Sequence, residues 1–227
     1  MKHFLSFLIV LVVFACDRNE FTPADTGMDY MPMQVGDFRT YDVNEIVYSQ
    51  VKEPETFHYE LRTEVVDSFP STSGEIIYVM NRFRRDVGSN NWIVLENWSM
   101  RKNDRELVIT EGNKSFVRLI FPTRAGNAWD GNAFNSEGED TYAISAVDEV
   151  KQIGEITFEK TLTVAQENND DRIVYYDFRE EQYARGVGLV SRTIEQLEYC
   201  TLDHCLGQQV IERGRNYKQN LISYGRI

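Results

Sequence analysis

The chain has 227 residues, of which 42% are hydrophobic and 26% charged, with only 14 glycines and 5 prolines. This excludes a disordered polar chain and a collagen-like one, and the length suits a single globular domain. Acidic side chains outnumber basic ones 36 to 24, for a net charge of −12. That balance argues against nucleic acid as a partner, because phosphate binding depends on Lys and Arg displacing counterions.

Lys2 and His3 precede an uncharged run from Phe4 to Ala15. A membrane-spanning helix needs about 20 apolar residues, so this shorter run reads as a secretory signal peptide over residues 1–15. The order Val13-Phe14-Ala15-Cys16 resembles a bacterial lipobox, with Phe14 where the family usually has a small residue. The resemblance implies cleavage before Cys16, diacylglycerol on its thiol and acylation of its new amine. The expected partner is therefore a membrane, engaged through the N-terminal lipid anchor, and the expected address is the bacterial outer membrane. Residues 17–27 show no hydrophobic periodicity and read as a tether. Their acidic residues resemble a surface-export signal of Bacteroidota lipoproteins, and the choice between surface and periplasmic face stays open.

From residue 28 to 227 the pattern predicts one all-β domain, an antiparallel barrel or sandwich of about ten or more short strands. Phe57, Tyr59, Leu61, Thr63 and Val65 alternate with polar residues, as do Tyr142, Ile144 and Ala146. Period-2 alternation marks half-buried strands. Ile156, Phe158, Leu162 and Val164 follow the same rule, with Lys160 out of phase. Runs rich in β-branched and aromatic residues cover 75–83, 92–98, 106–110, 115–121 and 187–194, separated by Gly- and Asn-rich turns. One short helix is expected around Asp177–Tyr183. Residues 121–132 read as a loop with Trp129 tucked against the core.

Candidate chemistry is sparse. Cys200 and Cys205 are the two cysteines beyond Cys16, and in an oxidising compartment they are expected to form a disulfide across a hairpin loop. The competing reading is a metal site adding His204 and Asp203, but structural zinc wants a second ligand pair that the sequence lacks. His58 reads as a solvated strand residue. No nucleophile elbow, phosphate loop or zinc-helix motif occurs. The carboxylates at Glu180-Glu181, Asp170-Asp171, Glu137, Glu139 and Asp140 do not reproduce a calcium-loop spacing and read as solvated turns. Arg82, Arg84 and Arg85 read as partners of carboxylates. Trp92 and Trp98, six apart, are expected on one face, either in the core or stacking on a ligand.

The segment Tyr30-Met31-Pro32-Met33-Gln34-Val35-Gly36-Asp37-Phe38-Arg39-Thr40-Tyr41 is similar to the opening of many small Bacteroidota lipoproteins of uncharacterised function. The stretches from Phe121 to Gly131 and from Tyr183 to Val190 resemble the same group. The function expected is a lipid-anchored, non-enzymatic binding or envelope-assembly module, with no cofactor. Its ligand would be an apolar molecule, a glycan or an envelope protein. Two alternatives stand beside it: a surface hydrolase working through paired carboxylates, and a purely structural surface protein.

Overall fold

A computed structural model describes residues 25–171 and 173–227. Twelve antiparallel strands follow a one-turn 3-10 helix at Met28–Tyr30: β1 (Asp37–Ser49), β2 (Lys52–Pro70), β3 (Ile76–Asp86), β4 (Ile93–Lys102), β5 (Glu106–Glu111), β6 (Lys114–Ile120), β7 (Ala128–Asp130), β8 (Thr141–Ile153), β9 (Ile156–Asp171), β10 (Tyr175–Ala184), β11 (Gly188–Tyr199) and β12 (Ile211–Arg226). They form one sheet in the order β6-β5-β4-β3-β2-β1-β12-β11-β10-β9-β8-β7. Its two edges meet. A bridge joins Ser115 to Phe134, the Val117 N–H donates to the Gly131 carbonyl at 2.9 Å, and the Trp129 indole donates to the Val117 carbonyl at 2.8 Å. The result is a nearly closed barrel, which leaves little unpaired edge.

The expected all-β fold is therefore present, with two corrections. The strands are not uniformly short: β2 alone runs 19 residues. The helix expected at Asp177–Tyr183 is instead part of β10. Arg179, Glu181 and Tyr183 alternate there on the inward face, and two charged residues in that row disguise a period-2 pattern. The phase break at Lys160 is real, because the β8–β9 register slips between Glu149 and Lys151.

Alternate turns fall at opposite ends of an antiparallel meander, so the barrel has two distinct ends. At the base, the N-terminal segment folds inward as a plug. Tyr30, Met31 and Met33 are buried in the main core beside Met80, Leu107, Leu119 and Leu162. Lys102 Nζ donates to the carbonyls of Met28 and Met31, and Arg39 Nη2 to that of Pro32. Outside the plug, Arg185 pairs with Asp25, Asp29 and Asp148, and its guanidinium lies 4.5 Å over the Tyr30 ring. Gly188, at φ +104°, makes room for Arg39: a Cβ there would sit 2.5 Å from its Nε. A second cluster, including Tyr41, Val43, Leu61, Phe158 and Leu221, fills another part of the interior. The opposite end, the mouth, carries the β5–β6 turn and the disulfide loop between β11 and β12.

A charged chamber at the mouth

Side chains directly opposite one another across an antiparallel pair share a face. Thr63, Arg82 and Glu96 are opposed in this way across β2, β3 and β4, as are Val65, Met80 and Trp98. Met80 and Trp98 are buried, so this is the inward face. On the far wall Glu181 of β10 opposes Arg192 of β11. Arg118 joins them through a bulge. Leu119 opposes Leu107 and Val117 opposes Val108, leaving Arg118 as the extra residue of β6.

Arg118, Glu181 and Arg192, together with Glu111, form a chain of alternating charge. Glu181 is fully buried, 2.7 Å from Arg192 Nη2 and 3.5 Å from Arg118 Nη1. Arg118 also pairs with Glu111, and Arg82 pairs with Glu96. The Tyr183 hydroxyl donates to Glu181 Oε2 at 2.5 Å. Burial pushes the Glu181 carboxyl upward, but Arg192 and Arg118 outweigh it and hold the group below its ordinary value. Burial likewise opposes the charge on Arg118, and Glu181 and Glu111 restore it. Burial raises Tyr142, beside the network, to about 12.

A chamber of about 350 Å³ opens above this network, with Arg82, Glu96, Trp98, Glu111, Arg192, Arg215 and Tyr217 on its walls. Arg82, Trp98 and Arg192 also line a smaller void of about 30 Å³ deeper in the barrel, which has room for a water or two. The Arg82 guanidinium lies 3.9 Å over the Trp98 ring, and that of Arg192 lies 6.0 Å away. Three N–H groups on these walls, Arg82 Nε, Arg192 Nε and Trp98 Nε1, are buried with no acceptor among the protein atoms. A shallower groove of about 760 Å³ lies beside Tyr175, Tyr176, Leu197 and Tyr199 at the same end.

The candidate residues fare differently. Trp92 and Trp98 do not share a face. Arg82 opposes Glu96 but Phe83 opposes Val94, so Leu95 is an extra residue that inverts the phase of β4. Trp98 points inward, whereas Trp92 lies outside with Arg62, Glu64 and Phe83, under the Arg85 guanidinium at 4.4 Å. An arginine already covers a face of each indole. Cys200 and Cys205 form a disulfide with Cα atoms 5.8 Å apart, and the loop it closes joins β11 to β12 as a hairpin. Their sulfurs and a ring nitrogen of His204 lie within 4.8 Å of one another, the one such group among the described residues; the acidic turns form none. His58 is half-exposed and meets Asp42 at 2.7 Å. Arg82, Arg84 and Arg85 pair with Glu96, Asp86 and Glu60 as expected. Cys16 lies outside the described residues.

The sequence reading missed the buried network, although it noted Glu181 and Arg82. The available signal was the phase of Arg179, Glu181 and Tyr183, which places a carboxylate on the face of a large aromatic.

No family model matches the chain, and no curated protein matches it. Among solved structures, a protein from Bacteroides fragilis described as exported, with a YmcC-like fold, aligns at 13% identity and a TM-score of 0.46. The alignment covers 86% of this chain and 98% of that one. A protein from Parabacteroides distasonis described as a lipoprotein aligns at 12% identity and a TM-score of 0.40, with the same two coverages. Likeness at this level says nothing about ligand or activity.

Proposed function

We propose that this is a lipid-anchored envelope protein, without catalytic activity, that binds a ligand at the open end of its barrel. One observation carries this reading: the N-terminal segment seals the base, while the charged chamber opens at the opposite end. Eight residues separate Cys16 from Asp25, where the described chain begins. Eight residues span at most about 29 Å, so an acylated Cys16 would keep the base near the membrane and turn the mouth away from it. The anchor itself rests on the signal and lipobox pattern, with the outer membrane as its address. The hydrolase alternative is less favoured, because a general acid needs a raised pKa and Glu181 is moved the other way.

Metabolic labelling with an alkynyl fatty acid tests the anchor. Labelled wild type and unlabelled Cys16→Ser are expected, and an unlabelled wild type refutes the anchor. Native mass spectrometry of the detergent-extracted protein tests the binding role. A copurifying small molecule that is lost in Arg215→Gln is expected.

A further inference from the structure

We infer that Cys200, Cys205 and His204 form a redox-gated site for a soft monovalent cation, Cu(I), shut in the disulfide and open in the dithiol. The two sulfurs and a ring nitrogen of His204 lie within 4.8 Å of one another. A metal that holds sulfur at about 2.3 Å and nitrogen at about 2.0 Å spaces its donors roughly 3.5–4 Å apart. The imidazole is therefore already near its place, and the S–S bond is what has to open. Both cysteines are buried and His204 is exposed, so the sulfurs floor the site and the ring closes it from the solvent side. The donor set selects the ion. Thiolates favour Cu(I) and zinc over magnesium and calcium, which want oxygen. Asp203 does not join the group, which leaves three donors. Cu(I) is satisfied by three, whereas a structural zinc takes four.

The backbone of the loop is held by bonds other than S–S. The Cys200 N–H donates to the Val210 carbonyl at 2.8 Å, and those of Cys205 and Leu206 donate to the Leu202 carbonyl at 2.9 and 2.8 Å. Gln208 Nε2 donates to the His204 carbonyl at 2.9 Å. None of these involves sulfur, so reduction leaves the three donors on the same framework. The two cysteine Cα atoms, 5.8 Å apart, can stay where they are while rotation about Cα–Cβ separates the sulfurs. A dithiol reductant balances the opening step. It gives two electrons and two protons, the S–S bond breaks, two S–H bonds form, and the reductant leaves as its own disulfide. Cu(I) then displaces both thiol protons to solvent and gains two Cu–S bonds and one Cu–N bond. Reducing conditions also keep copper monovalent, so the gate and its ion answer to one signal.

The test uses the full lipidated protein, reduced in urea with a trialkylphosphine, freed of the phosphine and returned to detergent buffer under argon. Circular dichroism checks that the sheet has re-formed. Cu(I) is presented on the chromogenic chelator bicinchoninate. The reduced protein is expected to withdraw one Cu(I) per chain and the oxidised protein none. His204→Ala is expected to bind at least tenfold more weakly. The double variant Cys200→Ser, Cys205→Ser is expected to bind none, which also accounts for copper held elsewhere on the chain. Oxidised protein that binds as well as reduced protein overturns the gate, as does a reduced chain that does not refold. Binding that His204→Ala leaves unchanged, or that is no greater than in the double variant, overturns the site.

Discussion

Glu181 and Arg192 stand directly opposite each other across β10 and β11, 2.7 Å apart, with the carboxylate sealed from solvent. The carboxylate also faces Arg118, so one buried anion balances two buried cations, with Glu111 sharing the load. Such a cluster is a weak source of net stability when complete and a large liability when broken.

Glu181→Gln should therefore destabilise the barrel strongly, by about 3–5 kcal/mol, because it leaves Arg118 and Arg192 short of counter-charge inside the protein. Urea unfolding at neutral pH measures this. A loss under about 1 kcal/mol, the range of exposed pairs, would mean that solvent reaches the network.

Acid should unfold the protein partly through the same group. Arg192 and Arg118 depress the folded pKa of Glu181 below its ordinary 4.5. A depressed folded pKa gives stabilisation that is complete above the unfolded value and lost as pH falls through the folded one. Below about pH 5, wild-type stability should thus fall more steeply than that of Glu181→Gln. The variant keeps some slope, because hydrogen bonds from Arg185 also lower Asp25 and Asp148. Denaturant curves from pH 6 to pH 3 compare the two, and parallel slopes would count against the role of Glu181.

Gly188→Ala should cost more than Gly186→Ala, although both glycines have positive φ. At Gly186 (φ +72°) a Cβ meets open space, so only backbone strain applies, roughly 1 kcal/mol. At Gly188 (φ +104°) the Cβ also collides with Arg39, which holds the Val187 and Pro32 carbonyls. Strain of about 1–3 kcal/mol then adds to the displacement of a buried arginine. Equal melting temperatures for the two variants would contradict this.

The purified protein should show no reactive thiol at Cys200 or Cys205 until a reductant is added under denaturing conditions. Replacing both by Ser should lower stability by about 2 kcal/mol, the expectation for a loop closed over so short a separation. Two free thiols in the unreduced protein would argue that the pair is open.

Much of the architecture was written in local pattern. Where one face of a strand meets core and the other meets water, alternation is plain, as from Phe57 to Val65. The hairpin around the cysteine pair and the packing of Trp129 were readable for similar reasons. Three features were hidden. β10 imitates a helix because its inward residues are charged. Trp92 and Trp98 part company because Leu95 adds one residue to β4. Arg118 turns inward because it is itself an added residue in β6.

From residue order alone came the sheet-built body, together with the expectation of a secretory start and of acylation at Cys16, since each depends on neighbours along the chain. The plugged base, the open mouth and the Glu181–Arg192 network came only with the folded barrel. Bulges and cross-strand partners set which side a residue faces, and those partners lie far away in the sequence. Arg118 and Glu181, for example, meet across a barrel interior that no local pattern encodes.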